Sequence, residues 1–536
     1  MSHEATTARP EYDVAVVGFG PSGAVAAALL GQAGLRTLVI DRTDEVYPKP
    51  RAIALDHEIM RVFQNLGLAD AIAPFCEPFT PSEYYGVDGQ LIKRLATVAP
   101  PYPLGHTPSM VFTQPPVEAA LRAHVQALPT VDVKLGLRFT GLEQDGDSVT
   151  LFLEDGAGAR SKVRTRYAIG CDGASSAVRE ALGIALEDLQ FDEPWLVVDV
   201  QVNERGLAKL PSTSVQFCEP DRPCTYVIGP GNHRRWEISL LPGEDPAYMA
   251  TEEGAWSVLQ RWIGRDDATL WRQASYRFHA LVAKEWRNGC AFIAGDAAHQ
   301  QPPFLGQGMC QGVRDVANLA WKLRAVLAGE AGALSAEALL DTYAAERREH
   351  VRQFTTRIKE IGAVICERDV AKARARDAAL LDAAGGQVKT QARQDIIPPL
   401  SAGLLDAAGE KGGNDGAGKL FPQPRVHGPA GPVLLDDIAG TGWRIVTDLP
   451  VEKLPAGLLP VAAGLGMLVS LPPGEDGFTS GPHRMQTGEL DGVVAGWLAR
   501  HGVHAAVVRP DHYVYGVAAD GASLLALVAG LKDRLQ

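Results

Sequence analysis

Cysteine is scarce in this chain: Cys76, Cys171, Cys218, Cys224, Cys290, Cys310 and Cys366 are all there are in 536 residues. No C-x-x-C spacing occurs and none lies beyond Cys366, so neither a zinc site nor a dithiol redox centre is expected, and no other metal site is suggested. That usage fits a reduced, cytoplasmic protein. No run of about 18 apolar residues appears, which argues against a spanning helix. Residues 1–11 are polar and resemble neither a signal peptide nor a transit sequence. Basic charge is in deficit, 51 Lys and Arg against 64 Asp and Glu for a net −13; a nucleic-acid partner, which wants clustered cations, is disfavoured. Hydrophobic residues at 46% and charged residues at 21% leave an ordinary globular composition, and the length exceeds what one hydrophobic core sustains.

What is present is concentrated near the N-terminus. The apolar run Val14-Ala15-Val16-Val17 leads into Gly18-Phe19-Gly20-Pro21-Ser22-Gly23, then into the small-residue helix signal Ala24–Leu30 and a second apolar run, Thr37–Ile40, closed by Asp41. Strand, glycine turn, helix, strand and acid in this order form a dinucleotide-binding unit. Gly18 permits the tight turn, Gly20 the approach of a pyrophosphate, and Gly23 close packing of helix on strand, while the helix N-terminus offers free N–H groups to phosphate. Asp41 can accept hydrogen bonds from a ribose.

Further along, the pattern changes. Residues 12 to about 180 alternate βα signals; from about 190 to 280 the chain is strand-rich, with 196–202, 213–217, 224–228 and 235–240 reading as an antiparallel sheet able to roof a pocket. Residues 313–366 carry apolar positions at helical spacing, and the run Glu346-Arg347-Arg348-Glu349-His350 reads as a solvated face. A Gly-rich linker is expected at 407–419, followed by a small α/β module. The fold class is therefore α/β: a Rossmann-type domain over 1–190 and 281–366, a β-rich substrate domain over 191–280, a helical segment and linker over 367–419, and a C-terminal domain over 420–536.

Two other strand-to-turn signals stand out. Ala291–Ala294 runs into Gly295-Asp296, then Pro302-Pro303 and Gly306-Gln307-Gly308-Met309 open a helix; Tyr167–Cys171 runs into Asp172-Gly173 and another helix. An aspartate so placed can bind the ribityl chain of a flavin, and the helix start can face an anionic ring.

Taken with the glycine motif, these segments resemble the single-component FAD-dependent aromatic hydroxylases over most of the chain. The likeness is greatest to the 3-(3-hydroxyphenyl)propionate hydroxylase branch, through Tyr47–Glu58, Phe112–Glu118 and Gly295–Leu323. The C-terminal domain, including Val508–Asp511, resembles that branch's thioredoxin-like appendage and, lacking redox cysteines, reads as a structural or oligomerisation module; a homodimer is one form this allows. The resemblance implies bound FAD, NADH or NADPH as co-substrate, and insertion of oxygen from O2 into a phenolic ring through a flavin C4a-hydroperoxide. It implies that Gly18, Gly20, Pro21, Ser22, Gly23, Asp41 and Arg42 hold the ADP part, that Arg51 and Gln114 reach the pyrophosphate and ribityl region, and that Asp172 meets the cofactor or a passing nicotinamide. Gly295, Asp296, Pro303, Gly306, Gly308 and Met309 would surround the ribityl–flavin part.

A base or proton path near the phenol is expected, with Asp56, His57 and His299 as candidates. Asp56 can equally be a helix N-cap ahead of Glu58, and His299 a loop residue bonded to backbone. Some relatives place a histidine two residues after the position of Arg51; Ile53 stands here. For a substrate anion the candidates are Arg222, Arg234 and Arg235, with Tyr226 and Trp236 as aromatic walls or plain core. Hydroxybiphenyl- and resorcinol-type hydroxylation are alternatives, as is a non-hydroxylating FAD oxidoreductase. The W-x-W-x-I of a halogenase is absent.

Overall fold

The alternation of apolar strand and small-residue helix has a direct outcome in the computed structural model, which describes residues 10–330, 335–406 and 415–535. Most of the expected linker, 407–414, and the N-terminal residues 1–9 lie outside the described residues. Tyr12–Val17 sits inside a parallel array in the order Val131–Lys134, Thr37–Ile40, Tyr12–Val17, Arg160–Gly170, Ala291–Ile293. Val14, Ala15 and Val16 are wholly buried, as a strand covered on both faces requires. Helix Pro21–Gln32 buries Gly23 through Ala28 and packs on helices Gly308–Leu327 and Gln114–Ala127.

A second sheet of nine strands lies alongside. Its centre is Ala268–Ala283, Leu186–Val202, His233–Ser239, Cys224–Ile228 and Ser214–Phe217 in that order, the last paired in parallel with Ser82–Tyr85. Leu91–Ala96 and Lys389–Ala392 complete that edge, so this sheet draws on chain well outside 191–280. Alternation decides its two faces. Leu196, Val198, Tyr226, Trp236 and Ile238 bury one face under helix Glu252–Leu259. Val197, Asp199, Thr225, Val227, Arg235 and Glu237 take the other. Val227 packs against Ile53 and Val111, so the second face looks toward the 51–55 segment.

The helical region divides into Gly308–Leu327 and Ala336–Cys366. The charged run in the second helix departs from its expected solvation: Glu346, Arg347 and His350 are each about 1% exposed. Glu346 receives Lys322 Nζ at 2.8 Å and Arg509 Nη2 at 2.7 Å, and Arg347 Nε donates to Asp315 at 2.9 Å. Charges at helical spacing look the same in sequence whether they face water or buried counter-ions.

Beyond residue 420, strands Met467–Ser470, Arg444–Thr447, Ala505–Val508 and Val514–Ala518 stand in that order, the first two parallel and the last pair an antiparallel hairpin, with helices Leu458–Ala463 and Gly521–Leu535 alongside. This unit is tied to the N-terminal half by buried charge. Arg61 donates to Asp436 from Nε at 2.7 Å and from Nη2 at 2.9 Å, and Arg444 pairs with the same carboxylate. All three side chains are shut off from solvent. Removing one member leaves the others buried without compensation, a loss of about 3–5 kcal/mol in typical cases. Asp436→Asn is therefore expected to lower unfolding free energy by about that amount, read from urea denaturation.

Candidate active site

Three motifs separated by more than 100 residues meet at one edge. In the parallel register Val17 is level with Ile40 and Gly170, and Gly170 with Ile293. The residues that follow, Gly18, Asp41, Cys171–Asp172 and Gly295–Asp296, therefore line the carboxyl end of the sheet, where the strand order reverses around Tyr12–Val17. Open α/β sheets bind ligands in that crevice. Backbone bonds lock the strand ends together: Gly18 N donates to Ile40 O at 2.7 Å, Cys171 N to Val17 O at 2.7 Å, and Ala294 N to Gly170 O at 3.0 Å.

The glycine turn is shaped by close approach. Gly18 has φ +103°, and a Cβ there would lie 2.3 Å from the Cys171 carbonyl oxygen, so a side chain is barred twice over. At Gly20 a Cβ would meet nothing within 4 Å; open space lies above the helix start. Sequence reasoning missed Gly312, whose Cβ would come 2.2 Å from Ser22 Oγ and 3.0 Å from Gly295 Cα. Ser22, Gly295 and Gly312 are thus where the first helix, the Gly-Asp loop and the helix from Gly308 touch.

These two helices begin without side-chain caps, at Gly20 and Gln307, whereas Asp56, Thr251, Ser335 and Asp369 cap theirs. Unpaired first-turn N–H groups at both places suit an anionic ligand. Asp296 completes the donor and acceptor set. Its side chain reaches solvent in the cleft, yet the enclosing protein desolvates its carboxyl and raises its pKa. Two uncapped helix starts, a Cβ-free turn over open space and an accessible carboxylate fit a flavin dinucleotide.

Around that cradle, other expected residues act on the protein itself. Asp41 accepts from Phe19 N at 2.6 Å and from Thr43 N at 2.8 Å, fixing the glycine turn. Gln114 Oε1 accepts from the amides of Ala52 at 2.6 Å and Arg51 at 3.2 Å, so it holds the Arg51 backbone rather than standing free. The Arg51 guanidinium is half exposed, 3.8 Å from Glu118, and Arg42 is exposed. Asp172 accepts from Ser176 Oγ at 2.5 Å and Val178 N at 3.0 Å, tying down the helix start Ala177–Ala181. Pro303 accepts from Gly306 N at 2.7 Å in the turn before Gly308 and Met309.

The acid–base candidates are dispersed. Asp56 caps helix His57–Asn65 through Glu58 N and Ile59 N and pairs with Arg314, which holds its carboxyl below the usual range despite burial. His57 is buried, and desolvation drops its imidazole to about pKa 4. His299 Nε2 lies 2.7 Å from Asp315 Oδ2, its ring stacked on Trp286. Of these three, Asp56 lines a narrow cleft walled by Ala54, Leu55, Phe79, Leu305 and Phe354.

None of the expected anion-binding arginines faces that cleft unpaired. Arg222 is ion-paired with Glu244 at 2.6 Å; Arg234 Nη1 donates to three backbone carbonyls, of Gly229, Gly231 and His233. Arg235 pairs with Asp199 at 2.7 Å and donates to the Arg51 carbonyl at 2.8 Å, which makes it a strut between sheet and cradle. Tyr226 and Trp236 pack on each other at 5.0 Å on the far, apolar face. The causes differ: Arg235 meets Asp199 on the neighbouring strand, Arg222 meets Glu244 across a loop, and Arg234 turns back on the carbonyls of its own hairpin.

Sequence reasoning also passed over Glu237, on the cleft-facing side between Thr225 and Val197. Burial, opposed by Arg235, raises its pKa to about 7.

With this geometry in view, the comparisons are consistent. The FAD binding domain family matches residues 11–358, and the HcaD C-terminal domain matches 418–533. The chain is 37% identical, over 98% of its length and 95% of the relative, to the "Probable NADH-specific resorcinol 4-hydroxylase" of Rhodococcus jostii (strain RHA1). It is 32% identical, over 98% and 97%, to the 3-(3-hydroxy-phenyl)propionate/3-hydroxycinnamic acid hydroxylase of Burkholderia cenocepacia (strain HI2424). Among solved structures, the flavin-dependent monooxygenase PieE, in complex with FAD and substrate, superposes with a TM-score of 0.78 at 22% identity over 98% of this chain and all of that one. The p-nitrophenol 4-monooxygenase PnpA of Pseudomonas putida DLL-E4 gives 0.62 at 27% identity, over 70% and 94%. The chain belongs to the family of FAD-dependent aromatic hydroxylases. Its cofactor is FAD.

Two tests follow. Gly20→Ala adds a methyl that meets no protein atom, so it should fold normally yet bind FAD about ten-fold or more weakly, about 1.4 kcal/mol, measured by flavin titration of the apoprotein. Glu237 carries a proton in the folded state at pH values where the unfolded chain has lost it, so its ionisation costs stability as pH rises from about 4.5 through about 7. Glu237→Gln should be near-neutral at pH 4.5 and raise Tm above pH 7, by the equivalent of up to about 3 kcal/mol.

Proposed function

We propose that this enzyme hydroxylates a small, single-ring phenol of the resorcinol or 3-(3-hydroxyphenyl)propionate kind, with NADH as reductant. The observation that carries the reading is the cleft itself. Leu305 and Gln307 lie in its wall and flank Gly306 in the loop that opens the uncapped helix Gly308–Leu327, so a ring in the cleft would adjoin whatever that loop holds. Its enclosed cavity is only about 20 Å³, so even a single ring must part the side chains of its walls, and a polycyclic substrate would have to part them further.

FAD would rest on the Gly18–Gly23 turn, with Arg51 and the first amides of helix Pro21–Gln32 toward the pyrophosphate and Asp296 toward the ribityl chain. Gln114 and Arg235 position the Arg51 backbone. When bound and reduced, FAD supplies the activation of O2. The chain's own task is to orient the ring and keep water away, which suits the apolar side chains of Phe79, Leu305 and Phe354. Asp56, ionised and fully hydrogen-bonded, orients Arg314 and the cleft wall; as a free base it would first have to give up that pair.

The C-terminal unit we read as thioredoxin-like from its strand order, serving as structure: it has no cysteine. Seven free cysteines support a cytoplasmic setting, and no helix among the described residues is long and apolar enough to cross a membrane.

The test is NADH oxidation and oxygen uptake by the purified enzyme over a panel of monocyclic phenols, with hydroxylated product and H2O2 both quantified. Product matching NADH consumed for resorcinol or 3-(3-hydroxyphenyl)propionate is the expected outcome. Peroxide without product across the panel would overturn the reading, and NADPH outperforming NADH would overturn the choice of reductant.

A further inference from the structure

The cleft contains an arginine that the paired arginines of the sheet do not account for. Arg393 follows the edge strand Lys389–Ala392 in a short turn and lines the cleft. Its guanidinium lies over the Phe79 ring at 4.1 Å and Nη2 donates to Ser82 Oγ, while Nε is buried with no partner. Among the described residues no carboxylate pairs with it; the titratable group beside it is the Tyr84 phenol, which burial keeps in its neutral form. More deeply buried arginines are all partnered: Arg61, Arg235, Arg314, Arg347 and Arg509 each hold a carboxylate, and Arg179 donates to the carbonyls of Ala297 and Ala174. Arg393 as a whole is partly exposed, but a cation with its Nε shut from water and no counter-ion is costly, and desolvation here pulls the guanidinium down to about pKa 10.

The adjacent residue repeats the pattern with opposite polarity. Gln394 also lines the cleft; its Nε2 donates to Ser109 Oγ at 3.1 Å, and its Oε1 is buried and unpartnered. A slot whose other polar lining residues Asp56, Ser109 and Gln307 all have partners thus presents an unsatisfied cationic donor beside an unsatisfied acceptor. Buried polar groups are rarely left so unless a ligand completes them.

We propose that Arg393 is the residue that binds an oxyanion carried by the substrate ring, either its own deprotonated ring oxygen or a side-chain carboxylate, while Gln394 Oε1 accepts from a ring hydroxyl. This rests on the proposed phenolic substrate. A planar guanidinium in a dry site discriminates strongly for oxyanions. Where the oxyanion is the ring oxygen, the same contact favours the phenolate, whose ring is the more electron-rich partner for oxygen insertion.

The test uses FAD-loaded full-length enzyme without NADH, titrated with resorcinol, 1,3-dimethoxybenzene, 3-(3-hydroxyphenyl)propionate and its primary amide, and read by flavin absorbance perturbation. Arg393→Gln should raise Kd about ten-fold or more for an oxyanion-bearing ligand, with Arg393→Lys recovering part and KM rising in parallel. Selective loss of the propionate but not its amide assigns a carboxylate. Selective loss of resorcinol but not 1,3-dimethoxybenzene, which has no ionisable ring oxygen, assigns the ring oxygen. Kd values within about two-fold of wild type for all four ligands in both variants would overturn the proposal. If Arg393→Gln does not fold with FAD, Arg393→Lys, which keeps the charge but loses the fork, is judged by the same Kd comparison, with Gln394→Leu as the independent arm. Wild-type enzyme that hydroxylates no phenol refutes the proposed function instead, a result separable from wild-type turnover that the variants leave unchanged.

Discussion

The contact among Ser22, Gly295 and Gly312 is the constraint on which the site depends. It sets how near helix Gly308–Leu327 comes to the glycine turn, and with that the spacing between two helix starts that present free amides. A methyl group at Gly312 would displace the Ser22 hydroxyl and press on the Gly295 backbone, 3.0 Å away. The pyrophosphate end and the flavin end of one dinucleotide would then no longer be served by a single rigid frame, since packed interiors transmit such displacements rather than absorb them.

Helix Gly308–Leu327 carries that frame into the rest of the molecule through buried polar side chains. Arg314 reaches Asp56 and Glu58, and Glu58 receives the hydroxyl of Tyr513 from the C-terminal unit at 2.9 Å. Asp315 accepts from Gly295 N, His299 and Arg347. Asn318 and Lys322 meet Glu346, which Arg509 also holds. The Gly295–His299 loop, the cleft wall and the C-terminal unit are therefore connected by one helix. Each ion is satisfied by several partners, which is the condition under which buried charge is tolerable.

Much of the cradle was legible because its logic is local. The turn Gly18–Gly23, the acid at Asp41 and the Gly295–Asp296 segment carry their chemistry within a few residues, and the helices follow from apolar spacing along one stretch of chain. The roof of the cleft was not legible in the same way. Alternation along His233–Ser239 gives two faces but not which is inward, and Arg235 and Trp236, neighbours in sequence, went to opposite ones. Glu346 and Arg347 read as solvated because nothing nearby in sequence reveals Arg509 or Asp315.

By itself, then, the sequence determined the dinucleotide-binding unit, because backbone turns and helix starts are encoded by adjacent residues, and its resemblance to a known family supplied the reaction class. Tertiary structure alone decided the partners of the arginines: which are consumed by Asp199 and Glu244, and that Arg393, from chain expected to be helix and linker, enters the cleft without a carboxylate partner among the described residues. The physical reason is that a charge's role is set by the counter-ions folding brings to it, and those lie tens to hundreds of residues away.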